Sequence, residues 1–237
     1  MPKRPAIPVA TTPDIPEIVR RLRKAYGPLR APRAEDPLVE LVWTILSQHT
    51  SDANAERAFH ALRAAFPTWA AVLGAREVEV ADAIRSGGLA NVKAARIRAV
   101  LREIVERRGE LDLAFLADLS DAEVMGFLTT LPGVGPKTAA IVLAFALGRQ
   151  AIPVDTHVHR VATRLGLVPK TDAVRAQRLL EASVPHRSKT AFHMGLIAHG
   201  RQTCTAQRPK CSGCVLLDFC PTGAEISSTM ARSSGAS

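Results

Sequence analysis

The sequence predicts an all-α fold. Apolar residues recur at the three- and four-residue spacing of a buried helix face in one segment after another, most clearly over 92–108. Short glycine-containing turns at 87–88, 109 and 133 separate these segments. No stretch of useful length alternates apolar and polar residues as a half-buried strand would. A chain of 237 residues suits one large or two small domains, and aliphatic side chains must fill the core because only 4% of the residues are aromatic.

The elements follow in chain order. Residues 1–14 are rich in proline and threonine and are predicted to be disordered, and a basic helix follows over 15–26. The stretch 222–237, rich in serine, threonine and alanine, is predicted to be a flexible tail. Between these ends the periodicity predicts helices at about 37–48, 53–66, 77–86, 92–108, 121–130, 136–147, 157–165, 172–183 and 188–202, with an extended stretch at 151–156.

The stretch 131–138, Leu-Pro-Gly-Val-Gly-Pro-Lys-Thr, ends one predicted helix and begins the next. Gly133 and Gly135 let backbone N–H groups approach an anion, and Pro136 suits the first position of the following helix. Lys137 then lies in the first turn, where the helix dipole and partial burial would disfavour its ammonium form and favour a nucleophilic amine. An ordinary surface lysine beside a turn is the alternative. A Walker phosphate loop is excluded, because Pro136 stands where that motif needs glycine.

Two short loops, 47–52 and 87–91, interrupt the helical pattern. Their simplest interpretation is structural: Ser51 or Asp52 caps the next helix, and Leu89 is a core residue.

All four cysteines lie between residues 204 and 220, as Cys204-x6-Cys211-x2-Cys214-x5-Cys220. Such a group in a cytosolic chain favours metal ligation over disulfides. The thiolates suit a [4Fe–4S] cluster or a structural Zn²⁺, and the uneven spacing favours the cluster, because four-cysteine zinc sites usually consist of two close pairs.

Charge is unevenly distributed along the chain, whose net charge is +9. Residues 1–34 and 149–220 together hold 19 basic and 6 acidic residues, whereas 35–148 holds 11 basic and 15 acidic ones. Basic ends around an acidic middle predict a basic face for a polyanion such as DNA, although a generic solvated surface has the same composition. The amino terminus lacks a signal-peptide pattern and the longest apolar run, 139–147, is too short to cross a bilayer, so a cytoplasmic, nucleoid-associated protein without membrane contact is predicted. A monomer is predicted because no spare amphipathic helix or long apolar surface stretch suggests an interface.

The hairpin 131–139, the segment Val-Asp-Thr-His-Val-His-Arg-Val-Ala-Thr-Arg-Leu-Gly-Leu at 154–167 and the cysteine pattern, in this order, resemble endonuclease III of the helix-hairpin-helix DNA glycosylase superfamily, iron–sulfur type. The resemblance covers about residues 30–221. It implies two helical domains with DNA bound in the groove between them. One is a six-helix domain with the hairpin at 35–148, and the other combines 15–34 with 149–221 and a [4Fe–4S] cluster on the four cysteines.

The same resemblance assigns roles to individual residues. Backbone N–H groups around Gly133 and Gly135 would hold a phosphate, Lys137 would be the nucleophile, and Asp155 would be the catalytic aspartate, although Asp155 also suits a helix N-cap. The implied activity is that of a bifunctional DNA glycosylase and AP lyase, which removes oxidised pyrimidines through a lysine Schiff base and nicks the abasic site of double-stranded DNA by β-elimination.

Family members fill the space left by an extruded base with side chains from two loops. Here these are 47–52, with Gln48 or His49 as the wedge, and 88–91, with Leu89 entering the other strand. The cluster would order the loop from Cys204 to Cys211 so that Arg208 and Lys210 meet phosphates. The sequence departs from the family pattern at His49, often glutamine, at Ala90, often aromatic, and at Pro136, often basic.

Two alternatives stay open from the sequence. A related monofunctional enzyme, acting on thymine or uracil mismatches, would use the aspartate without the lysine. A non-catalytic DNA-binding iron–sulfur protein would keep the scaffold without turnover. The presence of both Lys137 and Asp155 favours the bifunctional enzyme.

Overall fold

The computed structural model describes residues 14–31 and 36–233. No β-strand occurs within these ranges, which confirms the predicted all-α class. The predicted disorder of 1–14 falls, apart from Asp14, outside the described residues. The helices are α1 (Ile15–Tyr26), α2 (Pro37–Ser47), α3 (Asp52–Ala65), α4 (Trp69–Gly74), α5 (Glu77–Ala83), α6 (Ala90–Arg108), α7 (Asp121–Thr129), α8 (Pro136–Ile141), α9 (Thr156–Arg164), α10 (Ala173–Ser183), α11 (Lys189–Gln202) and α12 (Pro221–Ser233).

The described residues form two compact units. The hairpin unit comprises residues 36–149 with α2 to α8, and the cysteine unit comprises 14–31 and 150–233 with α1 and α9 to α12. The sequence predicts Arg149 as part of the second domain, but the residue belongs to the hairpin unit. Its guanidinium donates to the carbonyl oxygens of Ala117 at 2.7 Å and Leu119 at 2.6 Å and to the Asp121 carboxylate at 2.9 Å.

The hairpin unit is built around α2 and α6, whose apolar faces are buried. In α6 the fully buried residues Ile97, Val100, Leu101 and Ile104 follow the predicted helical period. Helix α4 was not predicted. Thr68 caps it by accepting from the Ala71 N–H at 3.1 Å, and the helix is only 6 residues long, which is too short to show a helical period in the sequence.

The predicted helix 136–147 begins as α8 and continues from Val142 to Ala146 as a π-helix. The Leu147 N–H donates to Val142 O at 3.2 Å, which is the five-residue bond of a π turn.

The cysteine unit packs α11 against α1 and α9. Its core contains Ile18, Leu22, Val158, Phe192 and Leu196, all fully buried. Gly195 permits the close approach of α1, because a Cβ at this position would lie 2.8 Å from Leu22 Cδ1.

The predicted flexible tail at 222–237 is wrong as far as residue 233, because Pro221–Ser233 forms α12. Pro221 suits its first position. Gly223 packs on the segment 211–220, here called the cysteine loop, because a Cβ at Gly223 would lie 2.9 Å from Leu217 Cδ1. The remaining residues, 234–237, lie outside the described ranges. None of the described helices combines the length and the apolar character needed to cross a bilayer.

Candidate functional site

The turn between α7 and α8 presents two glycines at the surface of the hairpin unit. Buried Leu131 and Val134 anchor it, and the Val134 N–H donates to Leu131 O at 3.1 Å. Gly133 has φ +71°, and a Cβ there would lie 2.5 Å from Arg96 Nε, so conformation and surroundings both require glycine. Gly135 has φ −93° and open space where a Cβ would lie. Its lack of a side chain leaves the approach to the first N–H groups of α8 open.

Lys137 is the second residue of α8 and its side chain is exposed. The expected partial burial of this lysine is therefore wrong, because the hairpin projects it outward while its neighbour Thr138 points into the unit. An exposed amine in the first turn of a helix is accessible to an external substrate and experiences the positive end of the helix dipole.

Gln48 follows α2 and is held from two sides. Its Oε1 accepts from Arg96 Nη1 at 2.7 Å, and its Nε2 donates to Thr138 Oγ1 at 3.5 Å. Because Arg96 also lies against Gly133, one guanidinium connects the loop 47–52 with the hairpin. Arg96 could not be selected from the sequence, because Gln48 precedes it by 48 residues and Gly133 lies far beyond it in the chain.

His49 and Leu89 are the two non-glycine residues with positive φ in the described chain, at +53° and +50°. Both side chains are exposed, and Leu89 exposes 56% of its surface. The left-handed region costs an L-residue about 1–2 kcal/mol, and such strain concentrates at functional positions. The interpretation of Leu89 as a core residue is therefore wrong. Ser51 does cap α3, by accepting from the Asn54 N–H at 3.3 Å.

Asp155 lies in the cysteine unit as the N-cap of α9. Its Oδ1 accepts from the Val158 N–H at 2.7 Å, and the side chain is half-buried. The N-cap interpretation holds, and the bond fixes the direction of the carboxylate at the start of the helix.

All four cysteines line one pocket in the cysteine unit, and none forms a disulfide. Three N–H groups point at their sulfurs. Arg164 Nη1 lies 3.2 Å from Cys204 Sγ, the Leu216 N–H 3.4 Å from Cys214 Sγ, and the Gly223 N–H 3.2 Å from Cys220 Sγ. Such donors stabilise thiolates that ligate an iron–sulfur cluster.

The pocket presents four thiols, the donor set that an iron–sulfur cluster takes. In the described ranges no group of three His, Cys, Asp or Glu side chains has the arrangement of a single-ion site. Burial raises the pKa of the Cys214 thiol to about 11, so the thiolate form requires the positive charge of a bound metal.

His199 and Tyr26 extend this site inward. His199 Nε2 lies 3.6 Å from Cys214 Sγ, and its Nδ1 lies 2.8 Å from the Tyr26 hydroxyl, which also lies 2.7 Å from Thr203 Oγ1. Burial lowers the pKa of His199 to about 4, so the ring is neutral at pH 7. With Tyr26 donating to Nδ1, the Nε2–H group faces the sulfur.

Arg208 and Lys210 are exposed on the loop between Cys204 and Cys211. Arg160 and Arg164 shape this loop from α9. Arg160 Nε donates to Cys204 O at 3.0 Å, and Arg164 donates to Thr205 O at 2.8 Å. The loop therefore presents Arg208 and Lys210 on its surface, whereas the guanidinium groups of the two arginines of α9 hydrogen-bond to the loop backbone.

Two family models and several known proteins match this chain. The model of the HhH-GPD superfamily of base excision DNA repair proteins matches residues 42–186, and that of the iron–sulfur binding domain of endonuclease III matches residues 204–220. The endonuclease III of Synechocystis is 36% identical over 87% of this chain and 91% of its own length. A protein of Arabidopsis thaliana that carries a DNA glycosylase name is 42% identical, and the match spans 70% of this chain and 57% of that protein.

Among solved structures, a trapped endonuclease III–DNA covalent intermediate superimposes with a TM-score of 0.77. It is 28% identical in sequence, and the match covers 90% of this chain and 97% of the other.

Proposed function

The chain belongs to the HhH-GPD superfamily of base excision DNA repair proteins and carries the iron–sulfur binding domain of endonuclease III, and from this membership we propose that it is a bifunctional DNA glycosylase and AP lyase with Lys137 as its nucleophile. It is a DNA glycosylase of base excision repair. The lyase step, the individual residues and the lesion are the proposed parts.

One observation carries the proposal: Lys137 stands exposed in the first turn of α8, directly after the hairpin. The related endonuclease III forms a covalent intermediate with DNA, which requires a nucleophile on the enzyme. An accessible lysine at the positive end of a helix supplies such a group.

In the proposed reaction the neutral amine of Lys137 attacks C1′ of the damaged nucleotide. The bond between C1′ and the base breaks, and the base nitrogen keeps the electron pair and takes up a proton. Opening of the sugar ring, with the proton of the amine passing to O4′, gives a Schiff base between Nζ and C1′. Removal of a proton from C2′ then expels the 3′ phosphate and cleaves the strand on that side of the lesion.

Asp155 contributes a carboxylate to the same reaction. Its Oδ1 is used by the N-cap bond, so we assign the chemistry to Oδ2. A negative charge there stabilises the positive charge that develops on the sugar as the base departs and assists transfer of the lysine proton.

His49, rather than Gln48, is assigned as the wedge of the first loop. Gln48 is engaged by Arg96 and Thr138, whereas His49 is exposed on a strained backbone. Leu89 is its counterpart in the second loop, since it shares the same strain and exposure. Two side chains that fill the vacated stack repay part of the few kcal/mol that base extrusion costs.

Phosphate contacts are assigned to the N–H groups around Gly133 and Gly135 and to the side chains of Arg208 and Lys210. A [4Fe–4S] cluster would be held by the four ligands Cys204, Cys211, Cys214 and Cys220. The cluster would order the loop that carries Arg208 and Lys210 and would take no part in hydrolysis.

The proposed substrate is double-stranded DNA that contains an oxidised pyrimidine or an abasic site. A monomer acting on the genome would work in the cytoplasm with the nucleoid.

The test is borohydride trapping on a duplex that contains thymine glycol. The wild-type protein, Lys137→Ala and Lys170→Ala are compared, because Lys170 is an exposed lysine of the cysteine unit with no assigned role. We expect a covalent adduct with the wild-type protein and Lys170→Ala and none with Lys137→Ala.

Other outcomes would assign a different function. Base release without an adduct would indicate a monofunctional glycosylase that uses Asp155 and water, and a duplex with a thymine or uracil mismatch would then be tried. DNA binding without adduct or base release would indicate a non-catalytic protein.

A further inference from the structure

Lys93 is a buried lysine that the proposed chemistry does not use. It lies in the first turns of α6 and exposes only 2% of its surface. Its Nζ donates to Leu46 O at 2.7 Å and to Gly87 O at 2.8 Å. A buried lysine is costly, and burial alone lowers the pKa of this one. Its two bonds to backbone carbonyls are contacts that an apolar side chain could not make.

The two carbonyl groups lie shortly before the two residues with positive φ. Leu46 lies in the last turn of α2, three residues before His49, and Gly87 ends a short 3₁₀ turn, two residues before Leu89. A carbonyl in the last turn of a helix has no partner within that helix. One side chain thus binds the backbone just before each of the two residues with positive φ.

We propose that Lys93 is a positioning residue that fixes the separation of the loops 47–52 and 87–91, so that His49 and Leu89 enter the duplex together. This role rests on the proposed function, since it assigns a purpose to the spacing of the two wedges. Lys93 itself touches neither DNA nor the reacting atoms.

The geometry around Gly87 supports a tightly fitted connection. A Cβ at this glycine would lie 3.0 Å from Ala58 Cβ and 4.0 Å from Lys93 Nζ, so the loop backbone packs closely against both α3 and the lysine. The compact ammonium group, with three donors on one atom, can serve carbonyls from two directions, whereas a planar guanidinium would need more room.

The first test compares Lys93→Met with Val100→Ala. Methionine keeps the stem of the lysine and removes its donors, and Val100 is a fully buried residue of the same helix seven positions further on. Amide hydrogen exchange should become about tenfold or more faster in both loops in Lys93→Met, and not in Val100→Ala. Acceleration in only one loop, or equally in both variants, would overturn the connection.

The second test measures function well below the unfolding temperature of both variants. With 2-aminopurine opposite or beside thymine glycol, Lys93→Met should extrude the base less and release it about tenfold more slowly at saturating DNA. Trapping at a preformed abasic site, which needs less extrusion, should change less than twofold, because the chemistry of Lys137 is intact. Lys93→Gln keeps N–H donors on a shorter stem and should recover part of the loss of base extrusion and part of the loss of base release. If Lys93→Met does not fold, Lys93→Gln takes its place in both tests.

The outcomes separate the two claims. A wild-type protein that neither releases base nor forms an adduct would overturn the proposed function and the positioning role with it. An active wild-type protein with unchanged base extrusion in Lys93→Met would overturn the positioning role alone. Equal losses in Lys93→Met and Val100→Ala would reduce Lys93 to a stability residue.

Discussion

The strained backbone at His49 gives a prediction that separates stability from function. Replacing His49 with glycine should stabilise the protein relative to replacing it with alanine, although both variants lose the proposed wedge. The reason is the φ of +53°, which alanine adopts at a cost and glycine adopts freely.

The expected magnitude follows from two opposing terms. The left-handed conformation costs alanine about 1–2 kcal/mol, and glycine loses about 0.5–1 kcal/mol of backbone entropy on folding. The difference leaves glycine more stable than alanine by about 0.5–1 kcal/mol. For a chain of this size that corresponds to a rise of about 1–4 °C in Tm.

His60 provides the matched control. It is an exposed histidine in the middle of α3, with ordinary helical backbone. There glycine should be less stable than alanine by about 1 kcal/mol, so the sign of the difference reverses between the two positions.

Thermal unfolding and single-turnover base release are measured on all four variants. Both His49 variants should release base about tenfold more slowly, because the loss of about 1.4 kcal/mol of the energy that repays base extrusion is a factor of ten. The His60 variants should keep the wild-type rate. A glycine variant at 49 that is less stable than the alanine variant would refute the strain, and unchanged base release would refute the wedge.

Three further predictions follow from the geometry. Gly133→Ala should lower the unfolding free energy by about 1–3 kcal/mol, measured by urea unfolding, because its Cβ would collide with Arg96 at a positive φ. Tyr26→Phe should speed the loss of visible cluster absorbance in air, since it removes the partner that orients His199 toward a cluster ligand. Lys93 in the unfolded chain has the ordinary lysine pKa of 10.5, whereas burial lowers its pKa in the folded protein. Between these two pKa values the unfolded state binds more protons than the folded state. The stability of the wild-type protein relative to Lys93→Met should therefore rise from neutral to alkaline pH.

Each of these has a control or a contradicting result. Gly135→Ala, with open space and an ordinary φ, should leave the unfolding free energy within about 0.5 kcal/mol of the wild type. Cluster loss at the wild-type rate in Tyr26→Phe would contradict the orienting role of the hydroxyl. A stability difference for Lys93→Met that falls with increasing pH would contradict the buried, proton-releasing state of the lysine.

Features with a local cause could be predicted from the sequence. The apolar face of α6 and the cap at Ser51 depend on residues within one or two turns of each other. The turn between two helices at 131–135 is local as well, and Gly133 takes its positive φ there.

Features that depend on contacts between residues far apart in the chain could not be predicted from the sequence. Helix α12 has a polar sequence, and it gains its order from packing on the cysteine loop. The partners of Gln48 lie 48 and 90 residues away, so the sequence could not decide between Gln48 and His49 as the wedge. Lys93 occupies a position that continues the apolar stripe of α6, where a charged residue indicates nothing until its two carbonyl partners are known.

Rigidity around an exposed tip is the principle that connects these findings. His49 and Leu89 are exposed and strained, and a strained residue stays in place only where its surroundings fix it. Arg96 fixes the first loop against the hairpin through Gln48, and Lys93 binds the backbone shortly before His49 and before Leu89. A side chain that must enter a base stack gains from such preorganisation, because the entropy of ordering the loop is then lost on folding rather than on DNA binding. Burying the ammonium group of Lys93 therefore lowers the stability of the fold, while its two hydrogen bonds keep His49 and Leu89 in position.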